Sequence, residues 1–237
     1  MSLQRFSLDP ARTAVYIAAG ALVAGCVPKP APLVAVPLAP AARADAVAWS
    51  QRSEPRRDTA IRFRFRYNDD RRSWAGRGTA RVAPPDSLRF DYTGPLGLGS
   101  GAAVVVGDST RWAQPEENFR SLIPAIRMLW AALGVVRPPD STAVVEAAQM
   151  PPRSIWRFVS GSDTLDYVVT DGPARTLEAE WRRSGKVQAR SRTDLDPRGQ
   201  PTGADVDFPG TSAHFALSVV GVDTTVAFEP ALWERRR

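Results

Sequence analysis

Apolar and polar residues alternate along several short segments, and this alternation limits the chain to a sheet with one buried face. A period of two is the pattern of a half-buried β-strand. The clearest apolar series are Ile61, Phe63, Phe65 and Tyr67 in one segment and Leu88, Phe90 and Tyr92 in another. Turn-forming residues separate such segments at short intervals, so we predict an antiparallel meander with short connections.

One loop between two predicted strands carries apolar side chains. Residues 88–106 read LRFDYTGPLGLGSGAAVVV, and Val104 and Val106 belong to the second strand. Hairpin loops in water are normally polar, whereas this loop presents Leu96 and Leu98 among glycines and a proline. The leucines either fold back onto the sheet or project as a probe. One inserted leucine contributes about 1.5–3 kcal/mol, which suffices for a transient membrane contact but not for an anchor.

The N-terminal segment has the pattern of an export signal. Arg5 and Arg12 precede an apolar run that is too short to span a bilayer, and small residues then lead to Cys26. The pentapeptide LVAGC, which ends at Cys26, resembles the lipobox of bacterial lipoproteins. The resemblance implies acylation of the Cys26 thiol, cleavage before Cys26 and acylation of the new amino group. With about 0.8 kcal/mol per buried CH₂, several acyl chains would hold the protein on a membrane.

These features divide the chain into three predicted parts: a signal peptide (1–25), the lipidated cysteine with a Pro/Ala-rich tether (26–43) and a folded domain (44–237). The tether is expected to be extended, and a short helix is expected within 43–53. The residue after the cysteine is Val27 and not aspartate, which in bacterial lipoproteins is the signal for retention at the inner membrane. By the same resemblance, the protein is expected at the periplasmic face of the outer membrane. Cys26 is the only cysteine, so the exported domain must be stabilised by its core without disulfides.

The charge of the chain bears on its partners. The formal net charge of +6 becomes +5 when the predicted cleavage removes Arg5, Arg12 and Asp9. An exported, lipid-anchored protein does not meet genomic DNA, and the basic residues are scattered, so we exclude a nucleic-acid partner. A mildly positive surface instead favours anionic lipid or an acidic partner.

The periodicity changes to that of a helix in residues 115–134, PEENFRSLIPAIRMLWAALG. Pro124 divides this stretch, so it predicts two short helices over 115–122 and 124–133. Strand periodicity resumes after Arg153, where turns at 160–163 and 184–185 predict two hairpins. The predicted fold is mainly β (α+β), an incomplete antiparallel β-barrel of about ten strands with one helical insertion.

A helix pair inserted between strands can cover the concave side of a curved sheet as a lid over a hydrophobic cavity. The predicted cavity lining comprises Phe63, Phe65, Leu88, Phe90, Tyr92, Val104 and Val106 from the sheet and Leu122, Ile126, Leu129, Trp130 and Leu133 from the helices. A sheet filled by its own side chains has the same pattern, so that alternative stays open at this point.

The stretch GRGTARVAPPDSLRFDYTGPLGLGSG, followed by a helical insertion and hairpins, resembles the LolA/LolB family of lipoprotein carriers and receptors, nearer to the outer-membrane receptor branch, LolB. The resemblance implies a half-barrel whose cavity takes the acyl chains of lipoproteins delivered by a LolA-like periplasmic carrier. It also places Pro95-Leu96-Gly97 at the family's exposed leucine loop, which implies a role for Leu96 in membrane insertion. The Pro/Ala tether, Leu98 and the basic C-terminus have no counterpart in the pattern.

Enzyme signatures are weak. His214 is the only histidine, and Gly97, Gly99 and Gly101 are followed by a strand, whereas a dinucleotide loop opens a helix. Glu178 and Glu180 share a strand face and are expected to be solvated opposite arginines. We therefore expect a monomeric, non-enzymatic lipoprotein without cofactor or metal that accepts lipoproteins at the outer membrane. A carrier of free lipids or glycolipids and a structural envelope-assembly lipoprotein are the alternatives, ahead of a hydrolase.

Overall fold

Antiparallel strands form one curved sheet that does not close into a barrel. The computed structural model describes residues 31–95, 99–116 and 125–234, and this part of the chain contains thirteen strands. They are β1 (Ala39–Pro40), β2 (Thr59–Asn68), β3 (Ser73–Ala83), β4 (Ser87–Thr93), β5 (Ser100–Val106), β6 (Ser109–Gln114), β7 (Val144–Met150), β8 (Arg153–Ser160), β9 (Asp163–Thr170), β10 (Arg175–Arg183), β11 (Lys186–Leu195), β12 (Pro201–Phe208) and β13 (Ala213–Asp223).

The spatial order of the strands is β1-β7-β8-β9-β10-β11-β12-β13-β2-β3-β4-β5-β6. The chain runs outward from β2 to β6, crosses to the far side, and returns from β7 to β13, which pairs with β2. The predicted meander and both predicted hairpins are confirmed, with the second turn formed at Ser184 and Gly185. The expected number of about ten strands was too low, because β1, β6 and β7 are short or lack alternating burial.

Two helices are described in full: α1 (Arg43–Ser50), which continues as a 3₁₀ turn (Gln51–Ser53), and α2 (Ile126–Ala132). A second 3₁₀ turn, Pro230–Trp233, lies near the C-terminus. Helix α1 lies within the segment 43–53 expected to open with a helix, and α2 matches the second half of the predicted pair. The first half, 115–122, falls mostly outside the described residues. No helix in the described part of the chain is long and apolar enough to cross a membrane.

Helix α2 packs against β10, β11 and β12 as part of the core. Met128, Leu129 and Trp130 are at most 2% exposed, so the helix is enclosed on most of its circumference. The Trp130 indole N–H donates to the carbonyl oxygen of Gly107 at 2.8 Å, and the Thr193 hydroxyl donates to that of Ala131 at 2.7 Å. A lid covering an empty cavity is therefore not confirmed, because this helix itself fills space inside the sheet.

The outer face of the sheet, opposite the core, is partly covered by both ends of the folded unit. Near the N-terminus, Val34 packs on Ile155 and Val168, and the backbone N–H of Leu33 donates to Glu180 Oε2 at 3.3 Å. The compact unit begins at Leu33, so the segment from Leu33 to β1, expected to be tether, belongs to it. A spacer before that point stays a prediction.

Near the C-terminus, the Arg89 guanidinium donates to the carbonyl oxygen of Leu232, and the Trp112 indole N–H donates to that of Trp233 at 3.0 Å. Val104 pairs with Arg89 and Trp112, so its side chain lies on this outer face. The residues of β5 that face the core are Ala103 and Val105.

The interior prediction was therefore wrong for Val104, and also for Val106, which is two residues along the same strand. Three consecutive valines carry no alternation, so the sequence did not fix which of them face inward.

Candidate functional site

The two ends of the curved sheet differ, and we name them by their landmarks. The loop end is where β4 and β5 are joined by residues 94–99. The open end is where β2 begins and β13 ends. Along β2, Phe65 and Tyr67 lie toward the loop end, whereas Thr59 and Ile61 lie at the open end.

A cleft of about 1040 Å³ lies on the concave side at the open end. It is at the upper limit of the roughly 300–1,000 Å³ typical of ligand pockets. Its apolar lining is formed by Trp49, Ile61, Leu133, Val135, Val136, Trp156, Val169, Leu177, Leu195 and Val222. These side chains come from α1, the end of α2 and six strands, so the site depends on the whole fold.

Two helical segments shape the cleft. Helix α1 carries Trp49, which stacks on Trp156 of β8 with ring centroids 5.3 Å apart. Helix α2 is followed by Leu133 and then by Gly134, whose φ of +80° is the left-handed conformation that commonly terminates helices. The chain then passes the 3₁₀ turn, where the backbone N–H of Val136 donates to the Ser53 hydroxyl at 2.8 Å. This hydrogen bond fixes the wall between the two helical segments.

Charged side chains surround the mouth of the cleft: Arg52, Arg56, Arg57, Arg175 and Arg198, with Asp45, Glu54 and Asp171 as the acidic members. Asp171 and Arg175 form an ion pair at 3.1 Å. Burial raises the pKa of the Glu54 carboxyl, an effect that the positive charge of Arg137 partly offsets. The cleft therefore combines an apolar floor with a mouth where arginines outnumber carboxylates.

Most of the predicted lining residues lie in the main core, whose aromatic rings concentrate toward the loop end. Phe63, Phe65, Leu88, Phe90 and Tyr92 are buried in the main core, as are Leu129, Trp130 and Leu133, and Ile126 packs against it. The rings contact one another: the centroids of Phe63 and Phe90 are 5.2 Å apart, and those of Phe65 and Phe215 are 5.9 Å apart. Of the predicted lining residues that the structure describes, Leu133 is the one that borders the cleft.

Glycines make this ring packing possible. A Cβ on Gly78 would lie 2.4 Å from the Phe63 ring, and one on Gly101 would lie 2.4 Å from the Tyr92 ring. Each ring therefore lies flat over a glycine of the neighbouring strand. The aromatic side chains of this end fill the curved sheet from within.

Four predicted site residues lie outside the described part of the chain: Cys26, Leu96, Leu98 and Leu122. The base of the leucine loop is described. The Gly94 N–H donates to the carbonyl oxygen of Gly99 at 2.7 Å, and Gly99 lies beside Trp74. This base is at the loop end, so the base of the leucine loop and the cleft are at opposite ends of the sheet.

Sequence reasoning missed most of the cleft lining. Trp49 lies in the short segment where a helix was expected, and Trp156, Val169 and Leu177 lie in predicted strands. No local pattern connects these positions, which are separated by up to about 130 residues. The sequence offered one indirect indication of the cleft, which is that Trp49 and Trp156 lie on amphipathic segments outside the predicted core.

The acidic pair considered above is structural. Glu180 is fully buried, accepts from the Arg190 guanidinium at 2.5 Å and also receives the Leu33 N–H. It faces arginines as expected, but it is not solvated, because the N-terminal segment covers it. Glu178 lies 3.3 Å from Arg192 at the surface. Within the described residues, no group of three or more His, Cys, Asp or Glu side chains could hold a metal ion.

Comparison with solved structures relates this architecture to known folds. A LolA superfamily protein from Nitrosomonas europaea superposes with a TM-score of 0.55 at 11% identity, covering 82% of this chain and 98% of that one. A domain assigned to outer membrane lipoprotein sorting, from Vibrio parahaemolyticus, superposes with a TM-score of 0.52 at 8% identity, covering 80% and 94%. The chain has a LolA-like fold.

These likenesses establish the architecture alone, because the sequence identities are low. No protein-family model matches the sequence. No curated protein matches it either. The LolA-like half-barrel expected from the sequence is therefore confirmed. The assignment to the LolB branch stays a prediction.

Proposed function

We propose that this protein is a lipid-anchored envelope protein that binds acyl chains in the cleft at the open end of the sheet. The observation that carries the proposal is a cleft on the concave side of a LolA-like fold that is lined in part by apolar side chains. Apolar walls remove acyl chains from water at about 25 cal/mol per Å² of buried surface. The cleft replaces the cavity expected beneath the helices, since that region is filled by aromatic rings and by α2.

In this proposal the protein is a bacterial lipoprotein at the periplasmic face of the outer membrane, anchored in the inner leaflet through acylated Cys26. It accepts lipoproteins from a LolA-like periplasmic carrier and passes them to the membrane, acting as a monomer without catalysis or cofactor. Support comes from the lipobox-like segment and from structural neighbours that include a lipoprotein-sorting domain.

The leucine loop has a distinct role in this proposal. Because its base is at the loop end, a loop that touches the leaflet leaves the mouth of the cleft open toward the periplasm, where a carrier arrives. Leu96 and Leu98 therefore set the orientation of the domain on the membrane. Leu96→Glu is expected to slow delivery of cargo to liposomes while leaving cargo acceptance unchanged; unchanged delivery would refute the role of the loop.

The acyl-binding proposal is tested with the full acylated protein in detergent and a fluorescent triacylated lipopeptide. Val169→Asp places a charge on the cleft wall and should weaken binding at least tenfold. Val220→Asp is the matched control, because Val220 is 63% exposed. Equal affinities of the two folded variants would contradict the proposal. If Val169→Asp fails to fold, Leu195→Gln introduces a polar group at a half-buried position of the same wall.

A carrier of free lipids is the second candidate, and the charged mouth of the cleft favours it. Native mass spectrometry of the protein purified from cells would separate the two by mass, since a lipopeptide and a free lipid leave different adducts.

A further inference from the structure

The mouth of the cleft carries more positive than negative charge. Five arginines border it against three carboxylates, which leaves an excess of two positive charges beside an apolar floor. Asp171 is already paired with Arg175 at 3.1 Å. Among the described residues, Arg52, Arg57 and Arg198 have no carboxylate partner.

The arginines approach the mouth from two sides. Arg52, Arg56 and Arg57 follow α1 on one side. On the other side, Arg175 begins β10 and Arg198 lies in the connection between β11 and β12. The turn that carries Arg198 is held in shape, because Asp196 Oδ1 accepts the backbone N–H groups of Arg198 and Gln200, each at 2.8 Å. Arg175 Nη1 lies next to the same turn, 3.1 Å from where a Cβ on Gly199 would stand.

A cation excess next to an apolar cavity is suited to a ligand that is anionic at one end. Guanidinium groups match the geometry of phosphate oxygens and can donate two parallel hydrogen bonds to them. An arginine next to a low-dielectric region interacts more strongly with an anion than one in open water. The burial-raised pKa of Glu54 is consistent with such a region.

We infer that the cleft binds an anionic diacyl phospholipid. Its acyl chains lie along Trp49, Trp156 and Leu195, and its phosphate lies between Arg57 and Arg198. This inference rests on the proposed function, in which acyl chains enter the cleft. The acylated cysteine of a lipoprotein is uncharged at this position, so the arginines discriminate between the two lipid classes. The phospholipid is then a ligand in its own right.

The test compares three probes: dioctanoylphosphatidylglycerol, dioctanoylglycerol and inorganic phosphate. Affinities are measured by isothermal titration calorimetry on the full acylated protein in a fixed detergent. We expect the phospholipid to bind at least tenfold more tightly than the neutral glyceride, and to weaken between 50 and 500 mM salt as the charges are screened. Inorganic phosphate is expected to bind too weakly to be measured.

Two variants locate the phosphate. Arg57→Gln combined with Arg198→Gln should lower the affinity for phosphatidylglycerol at least tenfold and leave that for dioctanoylglycerol unchanged. Arg64→Gln combined with Arg66→Gln removes the same two charges from the outer face and should change neither, because both side chains are exposed on β2.

The outcomes separate the two proposals. Equal binding of the phospholipid and the neutral glyceride, or no effect of the Arg57/Arg198 pair, overturns the phosphate assignment and leaves acyl-chain binding intact. Phosphate that binds as tightly as the phospholipid shows that the mouth recognises free anions and overturns the lipid assignment. Failure of both lipids to bind contradicts the proposed function itself.

Discussion

The loop end and the open end of this sheet are built from the same kind of strand, yet one is filled and the other is hollow. Toward the loop end, the rings of Phe65, Trp74 and Tyr92 contact one another and fill the inside of the sheet. At the open end, the strands carry smaller or half-buried apolar residues such as Val169 and Val222. The curved sheet is thus closely packed toward the loop end and leaves a cleft at the open end.

Removing a ring from the closely packed end should have the largest effect on stability. Phe63 is 1% exposed, and Phe63→Ala should lower the free energy of unfolding by about 3–5 kcal/mol, the range for large core truncations. Urea denaturation measures the loss. Val220→Ala at an exposed position should stay within about 0.5 kcal/mol of the parent. A similar small loss for Phe63→Ala would show that the loop end is not tightly packed.

Overfilling the same end should also destabilise the fold. A Cβ at Gly78 would lie 2.4 Å from the Phe63 ring and 3.0 Å from the Asp91 carbonyl oxygen, so Gly78→Ala should cost about 1–3 kcal/mol. Gly210→Ala is the control, because nothing lies within 4 Å of a Cβ there. If the two variants had the same melting temperature, the close packing of the rings would be contradicted.

A truncation at the open end should affect binding more than stability. Leu195 lines the cleft and is half-buried, so Leu195→Ala should cost about 1 kcal/mol of stability, roughly half of what burying a whole leucine contributes. Its affinity for a dioctanoyl lipid should fall severalfold, as measured by calorimetry. A stability loss as large as that of Phe63→Ala, with unchanged affinity, would make Leu195 a core residue instead.

The smallest expected effect concerns the carboxyl at the cleft. Because burial raises the pKa of Glu54 above 4.5, its protonated form is favoured in the folded protein. Its contribution to stability is present below that ordinary pKa and is lost as the pH rises through the raised value.

Glu54→Gln, which cannot ionise, should therefore be slightly more stable than the parent at pH 7, and the difference should shrink as the pH falls below about 4. Urea midpoints at several pH values measure this. A difference that grows toward low pH would mean that Arg137 stabilises the carboxylate more than burial destabilises it.

The same two ends explain what could be predicted from the sequence. The alternation in β2 and β4 correctly predicted one buried face, because successive side chains of a strand point to opposite faces of the sheet. The residues of that face are Phe63, Phe65, Leu88, Phe90 and Tyr92. The hairpin turns were equally local. Empty space has no local pattern, so the same residues could not reveal whether they enclose a cavity or fill it.

Long-range contacts account for the remaining differences. The docking of Leu33 and Val34 on the outer face depends on Glu180, Ile155 and Val168, which are more than a hundred residues away. The orientation of Val104 follows from the register of β5 against β4, in which Val104 pairs with Arg89 and Val105 pairs with Leu88. The cleft joins α1 to strands as far along the chain as β13, a proximity that exists only after the sheet has formed.

Tryptophan fluorescence can locate acyl chains directly, because bromine atoms on a lipid chain quench nearby indoles. The account predicts that dibrominated phosphatidylglycerol quenches the parent protein and the Trp74→Phe variant alike. Replacing Trp49 and Trp156 of the cleft by phenylalanine should abolish most of that quenching. Quenching that survives the double replacement and disappears in Trp74→Phe would place the acyl chains at the loop end and contradict the account.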